Sequence, residues 1–296
     1  MQTTMIGAES GAPFKGHIHL MEWDSPAACM ADEPPSHLAY KALEVVSSSC
    51  DTACDDPMQW LGVDRLATMH RVIREGWQEG AERIMRLADL NMPEPVRLKR
   101  RKARADFGDE YDMHAALAGQ HDRAWITTRR QPRNGVRRIT LVCEISAHRG
   151  EKADDLAWRG VAALKLADAL ESAGYQVRII GTSAAEEISR VSGEPEAVVH
   201  NVVAKDYDQP TDLANLAAVV ALAGFKRYYL HRWQFSRRNP AKTSSGLGSK
   251  SYPLLAWNFK RIAADCDAIR IPDGVTSLER CAALLAEVSE RIAGAE

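Results

Sequence analysis

Residues 137–296 constrain the fold more than any other part of the chain, because apolar runs of strand length alternate there with amphipathic runs of helix length. "RRITLVCEI" is rich in β-branched residues and reads as a strand. "ADDLAWRGVAALKLADALESAG" reads as a helix of about twenty residues that opens with acids and closes at Gly174. The spacing predicts further strands at "YQVRIIG", "AVVHNVVA", "KRYYLHRW" and "DAIRIP". It predicts helices at "DLANLAAVVALAG", "YPLLAWNFKRIAADC" and "TSLERCAALLAEVSERIAG", the last with Thr276 and Glu279 as a capping box. Strands joined through helices make right-handed crossovers, so this half is expected to be a three-layer, Rossmann-like α/β domain with a mostly parallel sheet of about five strands.

The rest of the chain divides by composition. Residues 1–55 carry Pro, Ser, Gly and Ala without sustained periodicity and are expected to be irregular. Residues 56–95 show helical spacing on either side of Trp77, which stands between Gly76 and Gly80, and "NMPEP" ends that segment. Residues 96–136 form a bridge in which a basic run lies beside the acids Asp109, Glu110 and Asp112. Trp77 is expected to anchor the helical segment, with a partner-binding hot spot as its sharper alternative.

In parallel sheets, ligands sit beyond the carboxyl ends of the strands. The expected strand-end face therefore holds Glu144, Ser146 and His148, then Thr182, then Asp206, Asp208 and Thr211, then His231 and Arg232. No G-x-G-x-x-G follows any strand, which excludes the usual dinucleotide fingerprint. No nucleophile elbow is present either.

"EISAH" at 144–148 and "QPTDLANLAAVV" at 209–220, set in this order of strands and helices, resemble the von Willebrand factor A (VWA) domains. The first motif of those domains is D-x-S-x-S, so the match here is degenerate. The resemblance implies a divalent cation, magnesium, held by Glu144, Ser146 and Thr211. Against it, Glu144 replaces an aspartate and His148 a serine, a poor set for octahedral oxygen coordination; His148 would suit a nitrogen-tolerant metal. "REGWQEG" at 74–80 and "GDEYDMHAALAGQHDRAW" at 108–125 are also similar to pieces of uncharacterised phage and prophage proteins that join such a helical segment to a VWA-like domain. Some VWA proteins act beside MoxR-type AAA+ ATPases, so the resemblance implies a protein partner of that kind.

A net charge of −2 excludes a uniformly basic nucleic-acid binder. The charge is uneven, however: Arg97, Lys99, Arg100, Arg101, Lys102 and Arg104 are followed by Arg129 and Arg130, with Trp125 nearby. That combination suits phosphates and stacked bases. Six scattered cysteines suit reduced thiols, and a zinc site from Cys50, Cys54, His17 and His19 lacks the usual cadence. No apolar run is long enough to span a membrane and no signal-peptide layout opens the sequence, so a cytoplasmic protein is expected. The leading functional expectation is a non-enzymatic adaptor or scaffold that uses the strand-end face. A nucleic-acid-associated factor binding through 97–138 is the alternative, and a metal-dependent hydrolase the third.

Overall fold

A computed structural model describes residues 2–6, 16–32, 57–89, 102–105, 110–128, 137–146, 151–188, 195–231 and 249–294. Its centre is a mixed sheet. Six strands lie side by side in the order β1 (Gln2–Ile6), β2 (His17–Trp23), β8 (Pro195–Lys205), β7 (Gln176–Ile188), β6 (Arg138–Glu144) and β10 (Asp267–Ile271). The short β9 (Ser249–Lys250) pairs with β7. Three of the five main pairings are parallel, namely β10 with β6, β6 with β7, and β2 with β8. The hairpins β7–β8 and β1–β2 are antiparallel.

The direction of β8 follows from chain length. The sequence reading ended the second strand at Gly181, leaving ample chain for a crossover, but β7 runs on through "TSAAEEI" to Ile188 and β8 already starts at Pro195. Six residues separate them, too few for the dozen or more that a parallel return needs. The strand therefore turns back on its neighbour.

Helices cover both faces of the sheet, giving three layers. On one face lie α1 (Pro26–Ala31), α3 (Leu66–Glu75), α4 (Gln78–Ala88), α6 (Ala157–Ser172), α7 (Leu213–Val220) and α9 (Leu278–Gly294). They bury one large apolar cluster against Leu141, Cys143, Ile179 and Val202. The short α2 (Pro57–Leu61) adds Trp60 and Leu61 to it. On the other face, α8 (Tyr252–Asp265) covers a small cluster of Ile18, Leu20, Ala184, Ala197 and Val199 with Leu254 and Leu255. Helix α6 ends at Gly174, whose φ of 92° lets Tyr175 N–H return to the Leu170 carbonyl at 3.0 Å, as the sequence suggested.

Several expectations are corrected. "KRYYLHRW" is not a strand: Phe225–Leu230 form a π-helical turn following α7. All six of its residues are buried, and a run buried on every side has no period by which a strand could be told from a helix. Residues 1–55 are not wholly irregular, because β1 and β2 extend the main sheet beyond β8 and α1 follows them. In "HIHLMEW" Ile18 and Leu20 face the α8 cluster while Met21 and Trp23 face the large one. A strand buried on both faces shows no clean alternation. The cap of α9 is Ser277, whose Oγ accepts from Arg280 N–H at 3.4 Å; the Thr276 hydroxyl donates to the Gly274 carbonyl.

Within the bridge, β3 (Lys102–Ala105), β5 (Trp125–Thr128) and β4 (Glu110–Tyr111) form a separate three-stranded antiparallel sheet, with the short α5 (Met113–Leu117) beside it. The two helices expected around Trp77 are α3 and α4. Trp77 N–H donates to the Ala214 carbonyl at 2.9 Å, and its half-buried ring packs against the main cluster. A Cβ on Gly80 would stand 2.1 Å from that ring, so the glycine is what lets the indole lie flat on the helix.

Candidate functional site

Strand β6 is the point from which the chain winds both ways, toward β7 on one side and β10 on the other, and the crevice at such a switch point is where open α/β sheets bind ligands. Glu144 is the last residue of β6. It is only 1% exposed, and its carboxylate accepts from Arg270 Nε at 2.6 Å and from Asp273 N–H at 3.3 Å. Asp273 stands just past the end of β10. Its carbonyl in turn accepts from Arg159 Nε at 3.0 Å and Nη2 at 2.6 Å.

Arg159, in the first turn of α6, is fully buried. Its Nη2 also reaches the Glu151 carboxylate at 3.4 Å. Burial pulls the Arg159 pKa below its ordinary value, while Glu151 and Glu144 act in the opposite direction. Arg227, on the π-helical turn, donates to the Trp60 and Glu151 carbonyls, each at 2.7 Å, and its guanidinium lies 4.3 Å from the centre of the Trp60 ring. The carboxyl-end rim is thus a buried lattice in which each of these cations finds a carboxylate or a main-chain oxygen.

Glu144 is also one end of a row. Across the sheet it pairs with Thr182, Thr182 with Asn201, and Asn201 with Glu22. All four lie on the α8 face. Asn258 of α8 donates to Thr182 Oγ1 at 2.9 Å and to Asn201 Oδ1 at 2.8 Å. Asn201 and Arg261 both donate to Glu22 Oε1, at 3.1 and 2.7 Å. A fully buried asparagine therefore fixes the seat of α8 through hydrogen bonds that an apolar contact could not specify.

The expected strand-end set divides. Glu144 and Ser146 lie at the carboxyl rim, with Ser146 Oγ 3.4 Å from Ser183 Oγ. Thr182 lies within β7 beside Glu144. Because β8 runs backwards, Asp206 and Asp208 lie at the other end of the sheet. Asp206 is 3.4 Å from Arg178, and Tyr207 between them bonds Thr140 at 2.6 Å. Thr140 is four residues before Glu144, about 13 Å along the strand.

Thr211 lies on that far side as well. It precedes Asp212, the N-cap of α7, which accepts from Ala214 and Asn215 N–H. The far end of that helix reaches the carboxyl rim, where a Cβ on Gly181 would sit 2.6 Å from Val219 and 3.3 Å from Ile145. The threonine expected to join Glu144 and Ser146 around magnesium is therefore separated from them by the length of a helix. Among the described residues no group of three or more His, Cys, Asp or Glu side chains is placed to hold a metal ion.

His231 is buried at the end of the π-helical turn. His17 and His19 lie on β2. Lys102 and Arg104 fall on β3. His148, Arg232, Cys50, Cys54, Arg97, Lys99, Arg100, Arg101, Arg129 and Arg130 lie outside the described residues. The sequence reading missed Arg159, Arg270 and Asp273. The acid immediately after "IRIP" was a usable signal for Asp273, whereas nothing in the helical pattern around Arg159 distinguishes a buried arginine from an exposed one.

Burial pushes the Cys143 thiol up to about 12, and Cys281 likewise, which disfavours the thiolate form. No helix among the described residues is long and apolar enough to cross a membrane. No curated protein and no solved structure matches the chain. A family model described as a domain of unknown function (DUF7192) matches residues 31–287, most of the chain, which therefore belongs to that family.

Proposed function

We propose that this chain is a non-enzymatic, protein-binding adaptor built on a VWA-like α/β domain, and that the carboxyl-end rim around β6 and β10 is its recognition surface. The observation that carries the reading is the state of Glu144. Both the metal-site and the hydrolase readings rest on that carboxylate, and both of its oxygens are engaged, one by Arg270 and the other by Asp273 N–H. A group so fixed holds loops in place for a partner more readily than it accepts a proton or a cation. The rim carries exposed charges at Lys152 and Asp154, beside the Glu151 that Arg159 and Arg227 hold, and at Arg280, beyond the Asp273 that Glu144 holds. By the resemblance to VWA proteins, the partner class is a MoxR-type AAA+ ATPase.

The test is site-specific photo-crosslinking in cells, with the reactive side chain at Lys152, at Asp154, or at Asp208 on the opposite rim. Crosslinks to one protein from the first two positions and not the third are expected. Crosslinks from Asp208 alone, or from none of the three, overturn the reading. In parallel, titrating magnesium and manganese into the protein is expected to give no heat. Heat that vanishes in Glu144→Ala would restore a metal site in place of a docking rim.

A further inference from the structure

The π-helical turn after α7 holds a lysine that folding alone does not explain. Lys226 stands between Phe225 and Arg227 and is 7% exposed. The three other buried Lys and Arg side chains among the described residues are all held. Arg159 has the Asp273 carbonyl and Glu151, Lys205 has Glu171 and the Val177 carbonyl, and Arg227 has the Trp60 and Glu151 carbonyls. Lys226 has nothing comparable. Burial is the one influence on its ammonium group, with neither a carboxylate nor a hydrogen bond to offset it.

The elements around the turn explain why no acid reaches it. Helix α2, which packs against it, contains no titratable side chain. From α3 the group that meets the turn is His70, which is bonded to the Tyr229 hydroxyl and edge-on to the Tyr228 ring. On the turn itself Arg227 is laid over the Trp60 ring, Tyr228 and Tyr229 bring only phenols, and the buried His231 follows. An ammonium in such a place destabilises the fold, and a methionine of similar length would not. Groups kept against stability in this way are characteristic of sites that do chemistry, and π-helical turns recur at such sites.

Burial also makes the amine reactive. It lowers the Lys226 pKa from 10.5 to about 7, so that about half of the side chain is neutral at pH 7, against roughly one part in two thousand for an ordinary lysine. We infer that Lys226 is a covalent attachment site for a small aldehyde or ketone, held as an imine on Nζ. The neutral amine attacks the carbonyl carbon, the carbinolamine loses the former carbonyl oxygen as water, and a C=N bond remains; nothing is oxidised or reduced. The surroundings favour this product over others. An acyl donor would leave a buried amide and carbon dioxide a buried carbamate, each with polar groups that have no partner there, whereas an unprotonated imine carries neither charge nor donor. The inference concerns attachment and not turnover, and it does not rest on the adaptor reading, whose crosslinks at Lys152 and Asp154 succeed or fail independently.

Brief exposure of the folded full chain to propionaldehyde, stopped with borohydride and mapped by peptide mass spectrometry, tests it. The exposed Lys152 and Lys260 serve as internal references. At pH 7 Lys226 is expected to be labelled at least about tenfold faster than either, and its labelling to level off above about pH 8 while theirs still climbs. Lys226→Met is expected to fold, with an unfolding midpoint no lower than the parent's, and to lose the fast label alone. Labelling of Lys226 no faster than the references, or only after urea has unfolded the chain, overturns the inference.

Discussion

The two ends of the central sheet use the same ion-pair chemistry in opposite surroundings. At the carboxyl end, Glu144, Arg159, Asp273 and Arg227 are buried. At the amino end, Arg178 meets Asp206, Arg137 meets Asp267 and Arg138 lies over the Tyr207 ring, all with much of their side chains in water. Water decides what each pair is worth. A buried charge left without its partner keeps its full desolvation cost, while an exposed one regains solvent. The buried lattice at the carboxyl end should therefore be intolerant of substitution and these exposed amino-end pairs indifferent to it, whereas Lys205, buried at the amino end with its Nζ 2.8 Å from Glu171, belongs with the first group; that contrast can be broken by measurement.

The largest effect is expected at Arg159. Arg159→Ala removes the donor to the Asp273 carbonyl and the cation beside Glu151, and leaves a cavity in the first turn of α6, so a loss of about 3–5 kcal/mol in unfolding free energy is expected. Urea denaturation at neutral pH measures it. A loss below about 1 kcal/mol would mean that the buried lattice is no more demanding than the surface pairs.

Lys226, next to Arg227 on the π-helical turn, sharpens the contrast because it shares the burial without sharing the partners. It is 7% exposed, and burial alone pulls its pKa from 10.5 to about 7. Between those values the unfolded chain holds a proton that the folded chain does not, so stability rises with pH across that window. Below about pH 7 both states are protonated and the whole penalty is present. Lys226→Met is expected to stabilise the protein at pH 6 by on the order of a few kcal/mol, and by progressively less as pH approaches 10. Thermal unfolding of both proteins at pH 6, 8 and 9.5 checks the trend. A variant whose stability parallels the parent at every pH would place the ammonium in contact with water.

How much of this was legible in the sequence depends on where periodicity carries the information. The helices α6, α8 and α9 and the strands β6 and β10 stand where the apolar spacing put them, because each buries one stripe or one run. The strand β7 was drawn too short, since "TSAAEEI" is small and polar where it lies between β8 and β9, and with that error went the direction of β8 and the place of Thr211. The candidate site was half visible. Glu144 and Ser146 follow from a strand that ends in polar residues. Arg159, Arg270 and Asp273 do not, because their roles come from β10 and the residues after it meeting β6 and α6, which lie more than a hundred residues earlier in the chain.

The smallest effect is the control on which the comparison rests. Arg178 Nε and the Asp206 carboxylate are 3.4 Å apart, with the two side chains 31% and 47% exposed. Exposed pairs of this kind contribute about 0.2–1 kcal/mol, since solvent replaces most of what the partner supplied. Arg178→Ala and Asp206→Ala are each expected to change stability by less than about 1 kcal/mol, and the double variant to differ from their sum by less than about 0.5 kcal/mol. The same double-variant cycle on Glu144 and Arg270 should give a coupling several times larger, because Arg270 alone can recover water while Glu144 remains buried beneath the rim. Equal coupling at both ends would show that position in the sheet, and with it the rigidity claimed for the carboxyl-end rim, does not set the worth of these charges.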